Sequence, residues 1–276
     1  MKIRWIAIPA LACALSALAI AQPPAPDSGI TGIAHIAFRV SDLDREIAFL
    51  GKLGYEESFA MTNNGKTTEV FVKINDRQFI ELYPQLDPQT APSQPLGWMH
   101  VCYESDALSA LQALYAAHGL NPPPVQKAGA GNLLFSLNDP EGRVTEFTQY
   151  MPGSRHTLDR GMHLGKQRIA TRLLGFSFPS ADLAADQRFY TAGLGFEQQK
   201  DGSSIRLRLP AAPDLRIELH AARPGDRIQA IFGVADVSAA ARALRRSGFV
   251  AHEHKNSVSI EDPNGNLFVF AAGAAH

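Results

Sequence analysis

Apolar residues in this chain follow two rhythms, one with a period near two and one near 3.6, and they alternate four times. Ile33 to Val40 reads as a strand, and Leu43, Ile47, Leu50 and Leu53 then fall at helical spacing. The same succession returns at Leu173, with its helix at Leu183, Phe189, Tyr190 and Leu194. Both helices end in Leu-Gly-aromatic, at Leu53-Gly54-Tyr55 and Leu194-Gly195-Phe196, which is a helix C-cap leading into a strand. Between them, Trp98 to Tyr103 and Ala230 to Val234 read as strands. Helices follow at Leu108, Leu111, Leu114 and Tyr115, and at Val237, Ala241 and Leu244. Asn138-Asp-Pro-Glu-Gly142 and Glu261-Asp-Pro-Asn-Gly265 then place Pro second and Gly fourth in tight turns joining two strands each.

The chain is thus a fourfold repeat of strand-helix-strand-strand-strand, near residues 31–90, 96–150, 170–222 and 228–272. One copy of about 50 residues is too small to cover its own sheet, so copies are expected to pair. The expected fold class is α+β, four βαβββ modules paired into two domains at 31–150 and 170–276. A linker at 151–169 joins them. Its Arg155, His156, Arg160, His163, Lys166 and Arg168 read as a solvated basic stretch.

Residues 1–21 break the pattern. Lys2 and Arg4 precede an apolar run to Ala21, and Ala19-Ile20-Ala21 is a small-x-small cleavage pattern, the layout of a secretory signal peptide. Residues 22–30 form a Pro-rich linker. The mature protein is then expected in the periplasm or secreted, with no stable membrane association. Cleavage would also remove Cys13, leaving Cys102 without an intrachain disulfide partner. The net charge of −1 and the lack of a basic stripe interleaved with aromatics exclude nucleic acid as an expected partner. A small-molecule substrate and a possible homodimer are the expected partners.

Four residues occupy matching places in the first two copies. His35 and His100 lie in the opening strands, Glu81 and Glu146 in the closing ones, and each Glu follows its His by 46 residues. A pseudo-twofold relation between the copies would bring two His/Glu pairs to one axis. Imidazole nitrogen with carboxylate oxygen suits zinc, nickel, cobalt, manganese or ferrous iron. Arg39 and Cys102 share strand parity with His35 and His100. Arg39 could bind an acidic group or form a rim salt bridge, and Cys102 could be a pocket thiol or a small buried hydrophobe. Lys127 to Asn132 reads as a hairpin turn.

The strand Gly32 to Asp42, the Leu53-Gly54-Tyr55 step, the Ile80-Glu81-Leu82 strand and Asp139 to Phe147 together resemble the vicinal oxygen chelate superfamily. That superfamily includes glyoxalase I, extradiol dioxygenases, methylmalonyl-CoA epimerase and fosfomycin and bleomycin resistance proteins. The resemblance implies paired βαβββ modules cupped around a divalent metal held by His35, Glu81, His100 and Glu146. It also implies a glyoxalase I-like lyase or isomerase acting through an enediolate on an α-hydroxycarbonyl-type substrate. Glu146 or Glu81 would serve as proton shuttle, with zinc or nickel as the metal. Two alternatives stay open. One is a ferrous extradiol-type dioxygenase using His35, His100 and Glu146, and the other is a non-catalytic small-molecule binder.

The second pair departs from the motif. Gly175 stands opposite His35, Ala230 or Gln229 opposite His100, and Val269 opposite Glu146, so only Glu218 remains. His220 reads as a surface or packing residue. The second domain is expected to be structural, a lid, or an apolar pocket.

Overall fold

The computed structural model describes residues 29–87, 94–201, 204–209 and 211–273, so the leader and most of the 22–30 linker lie outside the described residues. Module one comprises β1 (Gly32–Val40), α1 (Leu43–Lys52), β2 (Glu56–Asn63), β3 (Lys66–Lys73) and β4 (Phe79–Pro84). Module two comprises β5 (Gly97–Glu104), α2 (Leu108–Ala117), β6 (Gln126–Lys127), β7 (Leu133–Asn138) and β8 (Val144–Gln149). A short helix, α3 (Arg155–Leu158), follows in the connecting segment. Module three has β9 (Arg172–Ser180), α4 (Leu183–Arg188) with a π-helical continuation over Phe189–Gly193, β10 (Glu197–Asp201), β11 (Ser204–Leu209) and β12 (Ala212–Ala221). Module four has β13 (Gln229–Val234), α5 (Val237–Arg246), β14 (His252–His254), β15 (Ser257–Glu261) and β16 (Leu267–Ala272).

The modules pair as expected. Lobe one is one eight-stranded sheet in the order β2-β3-β4-β1-β5-β8-β7-β6, and lobe two repeats it as β10-β11-β12-β9-β13-β16-β15-β14. Within each module the first and last strands run parallel, and β1 meets β5 antiparallel at the centre of lobe one. The predicted turns close as drawn, with Gly142 N–H donating to Asp139 O at 2.9 Å and Gly265 N–H to Asp262 O at 3.1 Å. Lys127 to Asn132 forms the expected hairpin turn. No helix of the described residues is long and apolar enough to cross a membrane.

Each sheet has two unlike faces because side chains alternate along a strand. Ile36, Phe38, Val40, Ile80 and Leu82 of lobe one share a single hydrophobic core with Phe176, Phe178, Phe232 and Phe268 of lobe two. Phe38 packs on Phe268, Phe49 on Phe249, and Trp98 on Phe176 and Phe178. The two lobes therefore share one core. Their helix-bearing faces cover one another, and the opposite faces curl into two cups.

The Asp-Pro-x-Gly turns lock this packing reciprocally. Glu141, third in its turn, accepts the backbone N–H groups of Ala181 and Asp182 ahead of α4. Its counterpart Asn264 accepts from Ser41 N–H ahead of α1 and donates to Glu46. Arg143 bridges Asp139 to Asp186 on α4.

In the connecting segment Arg155, Arg160, His163 and Lys166 are exposed as expected, whereas His156 is buried and other parts of the segment pack on the lobe. It straps lobe one: Ile169 N–H donates to Leu53 O, and a Cβ added at Gly54 would strike the Gln167 carbonyl. Lys73, fully buried, donates to the Asp159 carboxylate at 2.8 Å and to two carbonyls of the strap. The physical reason is pairing. A buried ammonium is tolerated only with charged and hydrogen-bonding partners, and the strap supplies them.

Glu46 supplies a test of the interlobe lock. Burial and the nearby Asp262 carboxylate push its pKa from 4.5 up to about 8. Between those values the folded chain keeps a proton that the unfolded chain has released, so stability falls as pH rises through this window. Thermal unfolding should therefore show a Tm that declines from pH 5 to pH 8.5 in the native chain and less so in Glu46→Gln. The divergence should be a few degrees, given that about 1 kcal/mol moves Tm by roughly 2–4 °C at this size.

Candidate metal centre

Sheet register alone aligns the four expected residues. Ala37 of β1 pairs with both Glu81 of β4 and His100 of β5, and His35 pairs with Cys102, which pairs with Glu146 of β8. All of these side chains share the cup face of lobe one. His35 Nε2 and His100 Nε2 stand 3.1 Å apart, and Glu146 Oε2 lies 3.6 and 3.5 Å from them. Two ligands about 2.1 Å from one ion are separated by roughly 3.0–3.4 Å at right to tetrahedral angles. The edge between the imidazoles falls in that range and the two edges to Glu146 lie just beyond it, so the triangle is close to three corners around a cation.

Glu81 sits differently. Its Oε1 is 3.0 Å from His35 Nδ1, the ring nitrogen not used in the triangle, while Oε2 is 3.6 Å from His100 Nε2. It can orient His35 from behind, as carboxylates do for metal-bound imidazoles, and still present an oxygen to the site. The structure thus brings together all four residues.

The electrostatics favour a cation. Burial works against ionised Glu81, but His35 and His100 outweigh it and hold its pKa down at about 2. Burial likewise opposes the Glu146 charge and is outweighed by the hydrogen bond from His35 and the His100 charge. His100 is pushed above its ordinary value despite burial, by its hydrogen bond to Glu81 and the Glu146 charge. Two carboxylates held in their charged form in a buried cup favour a positive charge between them, which a divalent ion can supply.

Three further residues join the site: Tyr83 and Glu69, not singled out in the sequence, and His156, read there as part of a solvated stretch. Tyr83 Oη donates to Glu69 Oε1 at 2.6 Å and stands 3.3 Å from Glu81 Oε2. Burial and the Glu81 charge raise Glu69 to about 9, which keeps it protonated at neutral pH. Tyr83 follows Glu81 by two residues on the same face, so strand parity could have found it. His156 comes from the strap, and no periodic signal marks it. Its ring packs edge-on against Phe59, Phe71 and Phe79 at 4.8–5.1 Å, and Asn132 donates to its Nδ1 at 2.9 Å. The proton of the neutral ring then sits on Nε2, a buried atom with no hydrogen-bond partner. Burial drives the His156 pKa down to about 4.

Cys102 is buried beside the site, its sulfur, an atom of His35 and one of Glu146 all within 4.8 Å of one another. Burial and the Glu146 charge raise its pKa well above the ordinary thiol value. Arg39 is buried on the same face and donates to the Pro84 carbonyl at 3.1 Å.

In lobe two the register settles the correspondences. Ser177 of β9 pairs with Glu218 and Gln229, as Ala37 pairs with Glu81 and His100. Gln229, not Ala230, is therefore the counterpart of His100, and Ala230 lies in the shared core. Val269 takes the place of Glu146 through its pairing with Ile231. Gly175 takes the place of His35, and a Cβ added there would collide with the Arg216 carbonyl oxygen. His220 stands 3.5 Å from Asp226 and 3.3 Å from Ser177 Oγ, away from any ligand cluster of the described residues.

Residues 34–135 match the model of the Glyoxalase/Bleomycin resistance protein/Dioxygenase superfamily. The first lobe carries the sequence signature of this superfamily, and both lobes carry the vicinal oxygen chelate fold that the motif resemblance implied. Among solved structures, the chain is similar to the Mn(II)-bound glyoxalase from Novosphingobium aromaticivorans, at 18% identity over 88% of this chain and 82% of that one, TM-score 0.67. It is also similar to the 2,3-dioxygenase LapB from Pseudomonas sp. KL28, at 18% identity over 91% and 94%, TM-score 0.65. A catechol 2,3-dioxygenase matches at 16% identity over 89% and 88%, TM-score 0.66. No curated protein sequence matches the chain.

Ion binding at this centre should release protons, because a ligating imidazole must be neutral and the raised His100 pKa favours its protonated form in the free protein. Calorimetric titration with Mn(II) or Zn(II) in buffers of different ionisation enthalpy should show that release. Affinity should weaken by up to about tenfold for each pH unit below the His100 pKa, and His100→Ala should abolish tight binding.

Proposed function

We propose that the chain is a metal-dependent lyase or isomerase of the glyoxalase type, acting on a small substrate with neighbouring oxygen atoms such as an α-hydroxycarbonyl compound. The observation that carries this reading is the hydrogen-bonded chain Glu81–Tyr83–Glu69, which links the centre to a buried carboxyl group. A divalent ion held by His35, His100 and Glu146, zinc or nickel in this reading, would polarise the two substrate oxygens. Glu81 then stands where a proton leaves the adjacent carbon, with Tyr83 placed to stabilise the carboxyl group that accepts it. Glu146 is the more open carboxylate of the pair, at 20% side-chain exposure against 5% for Glu81, and can return the proton on the substrate side. Phe59, Phe71, Phe79 and His156 form an apolar wall that excludes water from one flank. The leader-like residues 1–21 support export to the periplasm or beyond, in keeping with a substrate met outside the cytoplasm.

A second reading rests on the triangle itself. Two imidazoles and one carboxylate on one face, with Glu81 turned toward His35 Nδ1, is the ligand set of a ferrous extradiol-type dioxygenase.

Metal analysis of the purified chain, with parallel assays on α-ketoaldehyde adducts and on catechols, separates the two. The lyase reading expects zinc, nickel, cobalt or manganese to support turnover without oxygen. It also expects Glu81→Gln to lower kcat by about 10²-fold or more, with a smaller loss in Tyr83→Phe. Oxygen uptake with catechol that needs ferrous iron and survives Glu81→Gln would overturn the lyase in favour of the dioxygenase.

A further inference from the structure

The cup of lobe two keeps only Glu218 of the four metal-binding positions and carries other residues around it. Register equates Arg206 with Phe71 and Arg216 with Phe79, since Arg206 pairs with Glu218 and Arg216 with Gly175. Two guanidiniums therefore stand where lobe one has the aromatic wall that His156 fills. Among the described residues no strap segment enters the second cup, which holds a cavity of about 620 Å³. That volume lies in the range of small-molecule sites.

The lining is polarised. Arg206 and Arg216 stand on the β11–β12 half of the sheet and Lys255 in the β14–β15 turn on the other half, and among the described lining residues Glu218 is the one carboxylate. Ile231 and Val269 on the floor belong to a small apolar cluster with Leu174 and Ala271. Arg216 Nε lies 3.9 Å from a Glu218 oxygen, too far for a good hydrogen bond, and Arg206 Nε lies 3.5 Å from the same oxygen. Arg216 Nε is buried and makes no hydrogen bond. Burial lowers the Arg216 pKa, and the Arg206 charge adds to that against the pull of Glu218. An anion entering the cup would satisfy the buried Arg216 Nε–H, on a guanidinium whose plane matches a carboxylate fork, while its carbon body covered the apolar floor.

We infer that this second cup is a binding site for a small carboxylate with an apolar body, held by Arg206 and Arg216 over Ile231 and Val269. The site is independent of the metal centre, being built on the other sheet. It gives lobe two a role as a ligand-binding partner of lobe one, and the carboxylate competes with Glu218 for the two guanidiniums.

Isothermal titration of the full chain with 3-phenylpropionate, its neutral amide and inorganic phosphate tests this. The expected result is one equivalent of phenylpropionate bound, with the amide and phosphate at least about tenfold weaker, about 1.4 kcal/mol. Arg216→Gln should weaken phenylpropionate by about tenfold or more while its far-UV circular dichroism stays native. Glu218→Gln removes the competing carboxylate and should tighten binding several-fold, a gain that misfolding cannot produce. Equal binding of acid and amide, phosphate binding as tight as phenylpropionate, an unchanged affinity in Arg216→Gln, or no tightening in Glu218→Gln would each overturn the assignment.

Discussion

The antiparallel pairing of β1 with β5 is the contact on which the metal centre depends, because it joins two modules that each hold only half of the ligands. Opposite Ala37 lies His100, and opposite His35 lies Cys102. The parallel neighbours β4 and β8 then bring Glu81 and Glu146 alongside. Side chains alternate with a period of two, so a slip of one residue in any of these pairings would send a ligand into the apolar core. Ile36, Phe38 and Val40 prevent that slip, since the same shift would carry them out of the core they share with lobe two.

The two faces of the first sheet therefore constrain one another. The face toward lobe two is held by aromatic packing and by the reciprocal docking of the Asp-Pro-x-Gly turns on α1 and α4. The cup face is held by the strap, whose Asp159 neutralises buried Lys73 and whose His156 fills the space among three phenylalanines. A cluster of two imidazoles and two carboxylates can stay buried and mutually close only in a frame this rigid. Each charge there is paid for in desolvation and stabilised only by its neighbours.

Lobe two shows how the same frame is redirected. Removing the side chain at Gly175 lets the backbone of β9 and β12 approach so closely that no Cβ fits. Restoring a histidine there would require moving a strand as well as changing a residue. Arginines on β11 and β12 in place of phenylalanines change the cup from aromatic to cationic without altering the core face, where Leu207, Ile217 and Leu219 repeat the apolar pattern.

Much of this was readable in the chain itself. Strand and helix periodicity, the Leu-Gly-aromatic caps and the paired Asp-Pro-x-Gly turns are local signals, and they located the four modules and their closing turns. The equal spacing of His35 to Glu81 and His100 to Glu146 marked the four residues that meet. Contacts between segments with no common period needed the folded molecule. Those include the shared core between the lobes, the burial of His156 by a strap whose composition suggested solvent, and the approach of Glu69 through Tyr83 to Glu81. The choice between Gln229 and Ala230 likewise waited on the register. Periodicity reports which face a residue occupies within its own element, whereas partners across sheets and straps are chosen by packing and charge pairing between segments distant in sequence.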